Sequence, residues 1–585
     1  MTLCARLLDN AREHADDVAI REKHRGIWRE WTWAEYARRV ASVAAGLRAL
    51  GVGAGDRVAI HSENRPEWVI ADLAAQGIGA CTVGVYPTSP AAEVEYVLSH
   101  SGASVLIAED EEQLDKALEV RVRLPLLRHV VVIDPRGVTP QIPTFDSLEQ
   151  NGSVAEYEES VAALDPDSTA VLVYTSGTTG PPKGAMISHD NLVAAGRTAV
   201  TLGAERGDEV LSYLPLCHVA ERLISVIDGV WAGLVVNFGE GGPSFTQDLR
   251  DVQPTVFLGV PRVWEKMLAS VEIRMADASR LKRLLYRTCL RQGRRTAPRR
   301  MSHSLTVADR VVLAFCELLV FRPLREKLGM SRVRSALSGA APIAPQVLEY
   351  LWAIGIPVRE GYGQTENTAI CTLTPQDDIR LGAVGTVMPG VEVRIAEDGE
   401  ILTRSAGVFQ GYLNDPAATK TAVDDDGWLH TGDVGELSDD GFLTITDRKK
   451  DIIITAGGKN LSPSEIENHL KVSPYIREAV VVGDRRKYVT ALIGIELETV
   501  GSWASRRNLA YTTYADLSGK AEVRDLVAGV VEEANGNLAQ VAQIKHFTLL
   551  TKELDHEDGE LTATQKVKRR ALEQRFDAEI EAMYP

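Results

Sequence analysis

One stretch constrains this chain more than any other: Tyr174 to His189, which reads YTSGTTGPPKGAMISH. It follows an apolar run, Ala170-Val171-Leu172-Val173-Tyr174, of the kind that forms a buried strand. The density of Gly and Pro then rules out helix or strand directly after the run. A loop with Gly177, Gly180 and Gly184 lets backbone N–H groups approach phosphate oxygens, and Thr175, Ser176, Thr178, Thr179 and Lys183 add hydroxyl and ammonium donors. This is phosphate-binding chemistry of a non-Walker kind, because Lys183 follows Pro182 and precedes Gly184 where the Walker pattern needs Gly-Lys-Ser/Thr. An ordinary surface loop is the other reading of such a Gly/Pro cluster.

At 585 residues the chain exceeds a single core, so two or more domains are expected. With 45% hydrophobic and 25% charged residues it reads as a soluble globular protein, and no apolar run reaches the ~18 residues of a membrane span. A cytoplasmic location is expected. The N-terminal MTLCARLLDNAREHADD carries early acids and no signal-peptide core, and the six cysteines are scattered, with neither a C-x-x-C pair nor a zinc spacing. A net charge of −17 argues against nucleic acid as the main partner.

The first third alternates helix and strand. Thr32-x-x-Glu35 is a capping box that opens a helix with Tyr36, Val40, Val43 and Leu47 on one face, ending at Gly51. Strands follow at Arg57–Ile60, Cys81–Tyr86 and Ser104–Ala108, separated by helices from Pro66 and from Ala91. This rhythm predicts an α/β fold: a large N-terminal domain of packed, mostly parallel sheets with flanking helices. Segment 136–165 reads as an irregular connection. Further strands are expected at 209–213, 234–238, 255–260 and 333–337, with a helix-rich insert between Trp264 and Gly329. The charged run Asp447-Arg448-Lys449-Lys450-Asp451 marks the expected boundary between residues 1–449 and a small mobile α+β domain, 450–585.

Several later strings carry chemistry. Ser338-Gly339-Ala340-Ala341-Pro342 ends a strand on small residues, against which a flat purine can pack. Glu360-Gly361-Tyr362-Gly363-Gln364-Thr365-Glu366 follows another strand, and His430-Thr-Gly-Asp433 and Thr562-Ala-Thr-Gln-Lys566 lie further on. Together with the glycine loop, and in this order, they resemble the adenylate-forming superfamily of acyl-CoA synthetases, peptide-synthetase adenylation domains and luciferases. Leu214-Pro-Leu-Cys-His218-Val-Ala-Glu-Arg222 and Gly259-Val-Pro-Arg-Val-Trp-Glu-Lys266 resemble its long-chain fatty acid–CoA ligase branch.

The resemblance implies roles residue by residue. Tyr362 would stack on adenine, Thr365 would contact phosphate, and Glu366, with Thr178, would hold Mg²⁺. Asp433 would bind the ribose hydroxyls, assisted by Arg448. His218 would line the region near the substrate carboxylate, where a packed core histidine is the other reading. Lys566 would be the adenylation lysine; Gln565 stands where the family usually has glycine, and Lys568 is the competing candidate. Lys450 would be the hinge and Gly457 part of the loop that replaces Lys566 in the second step. The implied reaction activates a fatty acid with ATP to acyl-AMP and pyrophosphate, then transfers the acyl group to coenzyme A. Another hydrophobic carboxylate, a carrier-protein phosphopantetheine as acceptor, and a non-catalytic nucleotide-binding scaffold remain alternatives. Residues 280–300 hold nine Arg or Lys and no acid: either a solvated helix face, or a patch for anionic lipid or CoA phosphates, with peripheral contact at a membrane.

Overall fold

The apolar run ahead of the glycine loop becomes the strand Thr169–Thr175, third from one edge of a seven-stranded sheet. The computed structural model, which describes residues 1–149, 152–175, 180–556, 558–562 and 565–584, orders that sheet as Gly411–Tyr412, Lys183–Ser188, Thr169–Thr175, Cys81–Val85, Arg57–His61, Val105–Ala108 and His129–Val132. From Thr169–Thr175 to His129–Val132 all neighbours run parallel. The helices Pro66–Gly77, Ala91–Ser101 and Glu111–Val120 make the crossovers that the alternating pattern predicts. The capping box closes in both directions at Trp33–Ala49: Thr32 Oγ1 accepts from Glu35 N at 3.3 Å, and Glu35 Oε2 accepts from Thr32 N at 2.9 Å.

Two stretches differ from the sequence reading. After the glycine loop the chain doubles back, and Lys183–Ser188 pairs antiparallel with Thr169–Thr175, Lys183 opposite Thr175. Glycine and proline hide this strand from pattern reading. Gly184 lies against the Tyr174 ring, where a Cβ would make a tight contact at 3.2 Å. Ser176, Gly177, Thr178 and Thr179 lie outside the described residues. Segment 136–165 is not irregular throughout: it holds the short helices Phe145–Leu148 and Val154–Ala162, the latter capped by Ser153. Tyr157 enters the core there and donates to Leu73 O at 2.7 Å.

A five-stranded sheet carries the next motifs. Val256–Gly259, Ser335–Ser338 and Val358–Tyr362 run parallel, and Thr372–Leu373 and Thr386–Val387 add antiparallel edges. Val391–Ile395, Glu400–Ser405, Leu429–Leu437 and Leu443–Arg448 form a wholly antiparallel sheet. The insert is helical as expected: Pro261–Ala276, Arg280–Met301, Val307–Cys316 and Arg322–Leu328. Beyond Arg448 the chain builds a separate core around Ile466, Leu470, Val481, Ile493 and Val527. Its sheet joins Ile476–Val482 and Val489–Ile495 antiparallel to one another, with Ile544–Leu549 parallel to the latter. This unit touches the larger one through Arg262 with Glu496, Arg506 with Asp277 at 3.1 Å, and His556 Nε2 with Glu93 Oε2 at 3.2 Å.

Candidate active site

Asp433 is the centre of the site. Antiparallel register sets it opposite Arg448, whose Nε lies 2.9 Å from Asp433 Oδ1. Oδ2 accepts from Tyr362 Oη at 2.6 Å and from Gln364 Nε2 at 2.6 Å. Two side chains from two sheets and a third from the turn after Tyr362 therefore converge on one buried carboxylate. Burial, reinforced by the Asp433 charge, pushes the Tyr362 phenol well above its ordinary range, so it stays protonated and donates.

The segment between Tyr362 and Glu366 is tightly built. A Cβ on Gly363 would fall 2.0 Å from Ala369 O, so only glycine fits. Thr365–Asn367 make one 3₁₀ turn closed by Gln364 N donating to Asn367 Oδ1 at 2.7 Å. Thr368 and Ala369 then take left-handed φ of 53° and 86°, and Ala340 in the facing loop has φ 68°. Non-glycine residues held this way cost about 1–3 kcal/mol each, a cost the surrounding packing must offset. Thr365 is buried, and Glu366 Oε1 accepts from Tyr412 Oη at 2.7 Å. The Tyr412 ring carries Lys183 Nζ at 4.9 Å from its centroid, which links the glycine-loop lysine to Glu366 through one aromatic side chain.

Lys566 comes from the smaller unit. Its N–H donates to Thr562 Oγ1 at 3.0 Å, and its carbonyl accepts from Thr562 N at 2.7 Å. The side chain keeps a solvent-facing surface but is crowded by protein. Its ammonium titrates below the ordinary lysine range, first through desolvation, then through the Arg448 charge, with Asp433 and Glu366 opposing. Its charge is thus coupled to both carboxylates. Lys568 instead stands at the head of the helix Arg569–Arg575. Gln565 has φ 60°, the left-handed region in which glycine is unstrained, which explains why glycine is the residue the resemblance leads one to expect there.

His218 caps the short helix Val219–Glu221, its Nδ1 accepting from Ala220 N at 3.2 Å. Burial, then the Lys566 charge, lowers the imidazole to about 4, so at neutral pH it is uncharged with its proton on Nε2. Glu360 lies buried on the strand Val358–Tyr362, pushed up to about 8 by burial, and Gly361 beside it packs against Leu373 and Ile370. Gly339 approaches Gly361 O, which a Cβ would meet at 3.2 Å; Ala340 and Ala341 form the exposed loop after Ser335–Ser338. Two expected residues stand outside this cluster. Lys450 is exposed just after Arg448, and Gly457 lies in the exposed turn closed by Gly458 N donating to Thr455 O at 2.8 Å.

Sequence reasoning missed three residues. Tyr412 bridges Lys183 and Glu366 from a two-residue edge strand that no pattern marks. Glu221 is buried and pushed up to about 7; it accepts from Ser212 Oγ at 2.7 Å and Leu214 N at 3.1 Å. Asn64 donates to Ser212 Oγ at 2.9 Å and Leu214 O at 2.6 Å, and accepts from Leu216 N at 3.1 Å. Glu221 and Asn64 thus pin the backbone that delivers His218. Glu221 could have been found inside its string, whereas Asn64 lies 152 residues from Leu216 with no local cue. Loss of this clamp by Asn64→Ala is expected to lower kcat/KM for adenylation by about tenfold to a hundredfold. Steady-state pyrophosphate release measures it, and an unchanged value would place the loop outside the site.

A mostly parallel sheet with a glycine loop at its end, a buried carboxylate gripped by Tyr, Gln and Arg, and a lysine delivered from a second unit define an enzyme of the adenylate-forming class. The family models agree: that of the AMP-binding enzymes matches residues 7–413, and that of the AMP-binding enzyme C-terminal domain matches 450–585. The chain belongs to the AMP-binding enzyme family. It is 36% identical over 591 residues to the long-chain-fatty-acid–CoA ligase FadD15 of Mycobacterium bovis, covering 100% of this chain and 97% of that protein. It is 31% identical to the long-chain-fatty-acid–CoA ligase ACSBG2 of Xenopus laevis, covering 98% and 82%. Among solved structures, the anthranilate CoA ligase AuaEII in complex with anthranoyl-AMP superposes with a TM-score of 0.75 at 20% identity, covering 100% of this chain and 98% of that one.

Proposed function

We propose that this chain is an AMP-forming long-chain fatty acid–CoA ligase. The observation that carries this reading is the buried Asp433 carboxylate gripped by Tyr362, Gln364 and Arg448, in a chain similar over its whole length to ligases of that name. The substrate carboxylate attacks the α-phosphorus of ATP; a new P–O bond forms, the bond to the β-phosphate breaks, and pyrophosphate leaves. Lys566 places its positive charge where the phosphates gain negative charge, and the glycine loop with Lys183 holds the leaving group. Asp433 accepts from the two ribose hydroxyls while Arg448 keeps it in place. Neutral His218 offers its Nε2–H toward the carboxylate. In the second step a CoA sulfur attacks the acyl carbon and AMP departs.

Magnesium fits this donor set. Only one carboxylate oxygen of Glu366 is used by a hydrogen bond among the described residues, and one carboxylate plus nucleotide phosphates is the usual arrangement for this ion. Bound there, magnesium would neutralise phosphate charge; Thr178, the other expected contact, lies outside the described residues. The boundary at 449/450 makes Lys450 the hinge about which the small unit turns, exchanging Lys566 for the loop with Gly457. Exposure of both Lys450 and Gly457 supports that reading.

The test is pyrophosphate release with saturated acids of graded chain length, each with and without CoA. Turnover should rise with chain length and require CoA. Turnover confined to short or aromatic acids would overturn the substrate, and transfer only to a phosphopantetheinylated carrier protein would overturn the acceptor.

A further inference from the structure

The string Gly259 to Lys266 opens the helix Pro261–Ala276, with proline in its first turn. Trp264 fixes that helix to the larger unit: it is buried there, and its Nε1 donates to Gly259 O at 2.9 Å. Two charged residues of the same string turn to the small unit. Arg262 pairs with Glu496 and donates from Nη1 to Arg477 O at 3.4 Å. Glu265, one turn on, is coupled to Lys471; burial pushes its carboxyl up, with Lys471 and then Arg262 opposing. Just past the helix end, Asp277 meets Arg506 at 3.1 Å. Apolar packing does little to set this seam. Among the described residues, Val472 is the one small-unit side chain that packs against the core around Trp264 and Met267. Asp447 also accepts from Ser462 Oγ at 2.7 Å and from Ser464 Oγ at 3.0 Å, but these residues lie beside the chain crossing and tie down only its near end.

A polar seam of this kind leaves one unit free to move on the other unless specific pairs hold it. We propose that Arg262 is a positioning residue for the first step: its clasp on Glu496 holds the small unit in the orientation that brings Lys566 to the nucleotide phosphates, and the clasp opens before the unit turns for the second step. This rests on the proposed hinge at Lys450 and names what holds one of its two states. Arg262 outweighs the other pairs for a physical reason. Its side chain is 30% exposed and that of Glu496 17%, and the guanidinium also reaches the Arg477 carbonyl. Arg506 and Asp277 are 34% and 60% exposed, and pairs that open to water contribute little. His556 with Glu93 ties the loop that leads to Lys566, not the body of the unit. A joint that opens in every turnover needs a hold of this modest kind, because any excess stability of the first orientation slows the second step.

Two single-turnover rates test it: acyl-AMP formation, and thioester formation from supplied acyl-AMP. Their ratio should fall about tenfold in R262A and in E496R, with thioester formation kept or raised, and the charge swap R262E/E496R should return it to within about threefold of wild type. High salt should lower the ratio in the wild type and affect R262A less. Spin labels on V122C/R485C read the position of the small unit without activity, since both positions are exposed, one on each unit, and the six native cysteines are buried. The wild-type background should show one distance population, and R262A should add a second. An unchanged ratio in both single variants, an equal loss in both half-reactions, a swap no better than the single variants, or a single unchanged distance in R262A would overturn the proposal. K566A separates it from the reading on which it rests. If K566A still forms acyl-AMP at the wild-type rate, the assignment of Lys566 fails and the clasp with it; if K566A loses that step while R262A behaves as wild type, only the clasp fails.

Discussion

Replacing Lys566 by Ala should lower acyl-AMP formation by about 10²–10³ while leaving thioester formation from supplied acyl-AMP within a few-fold of wild type. The Lys566 ammonium feels the charges of Glu366 and Asp433, where the proposed function places the nucleotide phosphates that gain negative charge in the first step, and the second step has no such demand. The depressed ammonium adds a pH signature. Its charge is lost as pH rises through a value below that of a free lysine, so the adenylation rate should fall on the alkaline side; Lys566→Arg keeps its charge and should move that limb upward. Separate single-turnover assays of the two half-reactions measure both effects. An equal loss in both half-reactions of a folded variant would contradict the assignment.

The second large effect is expected at Asp433. Asp433→Ala removes the acceptor for Tyr362, Gln364 and Arg448 and, in the proposed function, for the two ribose hydroxyls, and should weaken ATP binding by about 2–4 kcal/mol, roughly 30-fold to 1000-fold. Tyr362→Phe removes one of the three donors and should cost about 1 kcal/mol. Isothermal titration with a non-hydrolysable nucleotide reads both. Equal losses for the two variants would mean that Asp433 acts only by holding Tyr362.

Much of this was legible because it is local. The βαβ rhythm, the capping box at Thr32 and the apolar run before the glycine loop each encode an element within a few residues, and each forms. The motif residues Tyr362, Glu366 and Asp433 were likewise legible as strings. What escaped is assembled across the sheet order. Tyr412 reaches Glu366 only because Gly411–Tyr412 pairs with Lys183–Ser188, and Asn64 grips a loop 150 residues away. The hairpin after the glycine loop was hidden by residues that pack through backbone. The exposure of Val307, Phe315 and Leu318 in residues 307–321 was hidden for another reason: the sequence there has an ordinary amphipathic pattern, and only the fold decides which side faces outward.

In the proposed function one site makes an acyl adenylate and then passes its acyl group to a thiol. The most direct measurement is a sequential quench on enzyme-level amounts of substrate. The chain is mixed with a long-chain acid, ATP and magnesium without CoA, CoA is added afterwards, and acyl-AMP, acyl-CoA, AMP and ADP are quantified at each stage. About one acyl-AMP per chain should accumulate with one pyrophosphate, then convert to acyl-CoA with stoichiometric AMP once CoA is present. Formation of ADP, or of acyl-CoA with no acyl-AMP preceding it, would contradict the account.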